Sequence, residues 1–225
     1  MSPLPTRLSI DVDAETTVSG LLQSPADPLA VYVLAHGAGA GMDHPFMAAV
    51  AEGLAQRRVA TLRYQFPYME RGSKRTDSPA VAHAAVRAAV AEAKRQLPTL
   101  PLVAGGKSFG GRMTSQAQAA DPLPHVHGLV FLGFPLHPAK KPAVERAAHL
   151  AQVHCPMLFL QGTRDELADF DLITTVVEQL GERATLAPLP DADHSFHVLA
   201  RSGRRDAEVL EALLDVTAEW IGRFA

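Results

Sequence analysis

The sequence predicts an α/β fold: a three-layer α/β/α sandwich around a mostly parallel eight-stranded sheet. Two observations carry this. From residue 30 onward, short apolar runs alternate with segments of helical period, the pattern of a parallel sheet covered on both faces. The run "LAVYVLAHG" is apolar without interruption, as in a strand buried on both sides.

The elements follow in order. Leu8, Ile10 and Val12 alternate with polar residues, and Val18, Gly20 and Leu22 resume the alternation after "DAET". Two antiparallel strands joined by a turn fit this. After the third strand, residues 43–57 read as a helix, with Phe46, Val50 and Leu54 four apart. "VATLRY" is a strand. "SPAVAHAAVRAAVAEAKRQL" is an alanine-rich helix, with Ser78 as N-cap and Pro79 at its first position. "PLVAGG" is the fifth strand, 109–120 a helix, "HGLVFLG" the sixth strand and "VERAAHLAQV" helical. "PMLFLQG" is the seventh strand, 167–180 a helix and "ATLAPL" the eighth strand. In the last helix Val209, Leu210, Leu213, Leu214, Thr217, Trp220 and Ile221 share one face. No repeat, low-complexity tract or long linker interrupts this order, so one domain over 1–225 is expected.

Composition narrows the function. The formal net charge is −3 and basic residues do not cluster, which gives nucleic acid no general attraction. No apolar run approaches the ~18 residues that span a membrane. The start "MSPLPTRLSIDVD" has no apolar leader core. The single cysteine, Cys155, cannot form an internal disulfide and reads as a buried thiol. A cytoplasmic protein is expected.

The stretch "GGKSFGG" at 105–111 admits two chemistries. A phosphate-binding loop needs a glycine five positions before Gly106. Pro101 stands there, and the residues between are mostly apolar strand. A nucleophile elbow instead needs glycine two places before and two after a serine, because strand and helix nearly touch at the turn. Gly106 and Gly110 fill those places around Ser108, with a strand before and a helix after. A serine hydroxyl also needs a base. In the order such hydrolases use, Asp165 follows the seventh strand and His194 the eighth. His194 would take the serine proton and Asp165 would orient the ring. Glu166, Asp169 and Asp171 are local rivals to the acid. His197 is the rival base, set aside as a packing residue behind Phe196. Backbone N–H groups of Ala38, in the turn His36-Gly37-Ala38-Gly39-Ala40-Gly41, and of Phe109 would hold the oxyanion.

With these parts in place the chain resembles the α/β-hydrolase family along essentially its whole length, without a lid domain. It is most similar to a branch of small bacterial hydrolases related to dienelactone hydrolases. "HGAGAGMDHPFM", "RYQFPYMERG" and "GGKSFGGR" carry that resemblance. It implies a serine hydrolase acting on small soluble carboxylic esters or thioesters, with no cofactor and no metal. Dienelactone hydrolases proper use a cysteine nucleophile, whereas Ser108 stands in this elbow. Phe134 to Val153 leaves room for one helix rather than a lid. Related domains also occur in a scaffold subunit of a eukaryotic chromatin-modifying complex. A non-catalytic binding domain, and an acyltransferase using the same triad, are therefore the alternatives.

Substrate-contacting positions are read from the turns after the strands: His36, Gly37, Phe66, Tyr68, Lys107 and Leu136. His137 is a further candidate. Lys107 and Arg112 either make the pocket positive, or Lys107 pairs with a carboxylate such as Glu70. His125 and His127 have no companion ligands at metal spacing. The sequence leaves the oligomeric state open.

Overall fold

A computed structural model describes residues 4–225. The first three residues of the stretch read for a leader, and of the expected 1–225 domain, lie outside them. Eight strands form one sheet: β1 (Thr6–Asp11), β2 (Thr17–Gln23), β3 (Ala30–Ala35), β4 (Val59–Tyr64), β5 (Leu102–Lys107), β6 (Val126–Leu132), β7 (Met157–Gly162) and β8 (Ala184–Leu189). Their order is β1-β2-β4-β3-β5-β6-β7-β8. β2 pairs antiparallel with β1 and β4, and every later pairing is parallel. This is the eight-stranded, mostly parallel sheet that the sequence predicts, with the hairpin at one edge.

The helices are α1 (Pro45–Gln56), α2 (Pro67–Glu70), α3 (Pro79–Gln96), α4 (Phe109–Ala120), α5 (Phe170–Leu180) and α6 (Asp206–Gly222). They cover both faces because central strands turn alternate apolar residues to each side. Along β5, Leu102 and Ala104 join the core under α3 and α4, while Val103 joins the core under α1 and α6. Met47, Val50 and Leu54 of α1 meet Val209, Leu213 and Leu214 of α6 in that second core.

Several element ends differ from the sequence reading, each for a local reason. α1 starts at Pro45, where His44 Nδ1 accepts from Phe46 N–H at 3.2 Å. Ser78 occupies the N-cap of α3, but its hydroxyl makes no cap bond; Pro79 at the first position removes one of the donors. α5 begins three residues late. The Asp165 carboxylate accepts from Leu167 N–H at 2.7 Å, and Asp169 caps the helix from Asp171 and Leu172. The helical stretch "VERAAHLAQV" is wound as a 3-10 helix over Glu145–Gln152. Carbonyls at its end, on Ala151 and Val153, are taken by the Arg183 guanidinium. The short helix α2 has no counterpart in the sequence reading. Cys155 is partly rather than fully buried, and desolvation pushes its thiol up to about 11.

Candidate active site

The strand order reverses direction between β3 and β5, which are neighbours in space. In doubly wound sheets the crevice at such a switch point, beyond the carboxyl ends of the strands, is where ligands bind. The turn after β3 carries Gly37 and Ala38, and the turn after β5 carries Ser108.

Ser108 sits at φ 49°, ψ −113°, between the last residue of β5 and the first of α4. A non-glycine residue there is strained by about 1–3 kcal/mol. The glycines of the motif make the turn possible. A Cβ on Gly110 would lie 2.6 Å from the His36 carbonyl oxygen, and one on Gly106 would overlap the Ala35 carbonyl. Both collisions are with the backbone at the end of β3, so α4 and β5 can pack against that strand only with hydrogens at these positions.

His194 reaches Ser108 from the loop after β8. Its Nε2 stands 2.8 Å from Ser108 Oγ, and its Nδ1 stands 2.7 Å from Asp165 Oδ2. Asp165 is buried and also accepts from Gln161 Nε2 at 2.6 Å. With Nδ1–H donated to the carboxylate, Nε2 is left with a lone pair facing the serine hydroxyl. Two of the rivals, Asp169 and His197, are engaged elsewhere. Asp169 caps α5. His197 does not pack behind Phe196; its side chain is exposed and paired with Asp206 at 2.6 Å.

The amides of Ala38 and Phe109 flank Ser108 in the chain and across the crevice. Among the described residues neither donates to another group. Phe109 opens α4, whose first N–H groups have no intrahelical acceptor. The loop bearing Ala38 is fastened from below. His36 Nε2 accepts from Phe66 N–H at 3.0 Å, its Nδ1 lies 2.8 Å from the Gly37 carbonyl, and the Tyr68 hydroxyl accepts from Gly39 N–H at 3.2 Å. Further along, Gln65 Oε1 accepts from Met42 N–H at 2.9 Å and Arg63 donates to the Met42 carbonyl. Burial holds His36 in the neutral form, with its pKa lowered to about 4.

A cavity of about 730 Å³ opens beside Ser108 and His194. Its walls are largely apolar: Phe46, Met47 and Ala49 from α1, Ala207 and Leu210 from α6, and Leu167 and Phe196 from the loops. Phe46 and Phe196 stack at 5.6 Å. Of the sequence candidates, Gly37, Ala38 and Lys107 line it; His36, Phe66, Tyr68, Leu136 and His137 do not. His36, Phe66, Tyr68 and Leu136 are fully buried, the first three beneath the Ala38 loop with Phe66 and Tyr68 packed edge-on to Phe109. His137 Nε2 accepts from Asp169 N–H at 2.8 Å. Arg112 is also absent from the wall; its guanidinium lies 6.0 Å from the Phe109 ring. Lys107 does not pair with Glu70, which accepts from Ser19 N–H at 2.6 Å. The walls from α1 and α6 were missed in the sequence, where those side chains read only as core.

The chain belongs to the alpha/beta hydrolase domain family, whose match covers residues 28–222. Among solved structures it is similar to a dienelactone hydrolase from Anabaena variabilis, at 22% identity over 100% of this chain and 99% of that one, with a TM-score of 0.77. It is also similar to an α/β serine hydrolase without a lid from Xanthomonas campestris, at 21% identity over 98% and 96% of the two chains, TM-score 0.74. A third is the esterase domain of a Rhodothermus marinus protein, at 15% identity over 99% of both chains, TM-score 0.73. At these identities the likeness is one of fold, and it extends over the whole length of each.

Proposed function

We propose that the protein is a serine hydrolase that cleaves carboxylic esters or thioesters through an acyl-enzyme. The observation that carries this reading is the chain of short contacts from Asp165 through His194 to Ser108. It spans three separate turns at one sheet edge, and a strained serine backbone presents its nucleophile.

Ser108 Oγ attacks the substrate carbonyl while His194 Nε2 accepts the hydroxyl proton. Asp165 holds the ring and balances the imidazolium. The oxyanion that forms is received by the N–H groups of Ala38 and Phe109. His194 returns the proton to the leaving alcohol or thiol, and the carbonyl–oxygen or carbonyl–sulfur bond breaks. A water deprotonated by His194 then releases the acid and restores the serine. The cavity favours an apolar acyl group of modest size, because most of its wall is hydrocarbon. The cycle needs neither a metal nor a cofactor.

Labelling with a fluorophosphonate probe, followed by peptide mapping, tests the nucleophile. Label on Ser108 that is lost in Ser108→Ala supports the reading. A folded wild type that takes no label at Ser108 overturns it.

A further inference from the structure

Lys107 precedes the nucleophile and closes β5. Its side chain turns under the histidine loop and its ammonium donates to the backbone carbonyl of His194, 87 residues away. No backbone amide of the described residues donates to that carbonyl. The loop itself is closed by Asp193, whose carboxylate accepts from Ser195 N–H at 2.8 Å and from His197 N–H at 2.9 Å. Those bonds shape the loop but do not tie His194 to the strand that carries Ser108. The lysine does.

The surroundings fit an ammonium. Phe196 presents its ring face 4.9 Å from Nζ, within the range where a cation gains from the ring quadrupole. A Cβ on Gly133 would lie 3.1 Å from Nζ and 3.6 Å from His194 Cε1, so the turn after β6 leaves room for the charge behind the imidazole. Across the site the Lys107 stem runs past Gly37, whose Cβ position is 3.5 Å from Cγ.

We propose that Lys107 is a positioning residue, whose charged ammonium pins the backbone of His194 to the elbow and so sets the approach of the base to Ser108. This rests on the reading of Ser108 and His194 as nucleophile and base. No carboxylate is within ion-pair distance of the ammonium among the described residues. The charged groups that face it are Asp165, from the turn after β7, and Asp193, from the histidine loop; the turn after β3 meets the stem at Gly37, and the turn after β6 meets Nζ at Gly133, beside the titratable His194 ring. Desolvation outweighs both carboxylates and lowers the amine to about 8. As pH rises through that value the ammonium becomes an amine. The charge-assisted bond weakens and the attraction to Phe196 is lost. The working form is therefore the protonated one, and activity falls on the alkaline side.

The test compares wild type with Lys107→Met by steady-state hydrolysis of a short p-nitrophenyl ester and by the rate of fluorophosphonate labelling. In Lys107→Met we expect kcat about tenfold to a hundredfold lower at neutral pH, with KM within about twofold. Its rate should stay flat from about pH 7.5 to 9.5, where wild type declines. A variant that keeps the wild-type alkaline limb, or a wild type flat over that range, overturns the proposal. If circular dichroism shows Lys107→Met unfolded, Lys107→Arg decides: its guanidinium stays charged, so the limb should disappear, and an unmoved limb overturns the proposal. A wild type without label at Ser108 overturns the hydrolase reading and this proposal with it. A labelled wild type alongside an unaffected Lys107→Met overturns this proposal alone.

Discussion

Ser108 Oγ and His194 Nε2 stand 2.8 Å apart although 86 residues separate them. Ser108→Ala should leave the fold intact, since its side chain makes no cap bond to α4. We expect ester hydrolysis to fall by ~10⁴-fold or more. Asp165→Asn should cost about as much, by presenting the wrong imidazole tautomer. Asp169→Asn separates the two aspartates. It touches only the cap of α5, so activity should persist with a stability change of at most about 1 kcal/mol. Equal losses of activity in the two Asp→Asn variants would remove Asp165 from its assigned role.

Gly110 and the His36 carbonyl define a close approach in the elbow that a single methyl can probe. Gly110→Ala places that methyl 2.6 Å from the carbonyl oxygen, so α4 must move away from β3. Overpacking of this kind costs about 1–3 kcal/mol. The same shift displaces the Phe109 amide from Ala38, and kcat should drop by ~10²-fold. Gly222→Ala is the control. Its Cβ meets nothing within 4 Å, near the end of α6, and both stability and rate should hold or improve slightly. A Gly110→Ala enzyme with wild-type kcat would show that the elbow has slack.

The parts of the site governed by local sterics were legible in the sequence. Glycine two before and two after Ser108 follows from one close crossing. The order of Ser108, Asp165 and His194 could be read because each lies in the turn just beyond a strand. What lay hidden depends on direction rather than position. Phe66 and Tyr68 follow β4 as a substrate-lining residue would, but the Phe66 amide is drawn to His36 and both rings turn inward. The cavity wall comes from α1 and α6, near opposite ends of the chain, and no spacing in the sequence joins them. Lys107 has a long flexible stem. Its partner is set by where the histidine loop falls, which is why the sequence pointed to a carboxylate such as Glu70 and not to the His194 carbonyl.

Two imidazoles, buried His36 and half-buried His149, should make the protein sensitive to acid. Burial lowers His36 to about 4. Burial first, then Arg112 and His83, lowers His149 to about 4. Each takes up a proton near pH 6.5 when unfolded but resists it when folded. The unfolded chain therefore binds more protons between those values, and stability is present above pH ~6.5 and lost as pH falls toward 4. His36 contributes roughly 3 kcal/mol of that loss, and His149, only half-buried, contributes less because solvent screens it. Urea unfolding at about pH 7 and pH 4.5 should show it. His149→Gln should flatten the slope by less than half, while its Ser115 contact at 2.8 Å is outside the catalytic residues. An unchanged slope in that variant would mean that the acid transition lies with other groups.

The hydrocarbon wall between α1 and α6 predicts how rate depends on acyl length. Each methylene that moves from water into the cavity gains about 0.8 kcal/mol, or roughly fourfold in kcat/KM. A p-nitrophenyl series from acetate upward should climb at about that rate until the cavity of about 730 Å³ is filled along its length. Ala49 lines that cavity, and Ala49→Trp should cut the series short while leaving Ser108 labelling unchanged. Leu136 supplies the contrast, because it is fully buried and outside the wall. Leu136→Ala should destabilise by about 2–5 kcal/mol and leave the chain-length profile where it was. If Leu136→Ala reshapes the profile and Ala49→Trp does not, the acyl group lies on the opposite side of Ser108, toward the turn after β6, and the cavity serves the leaving group instead.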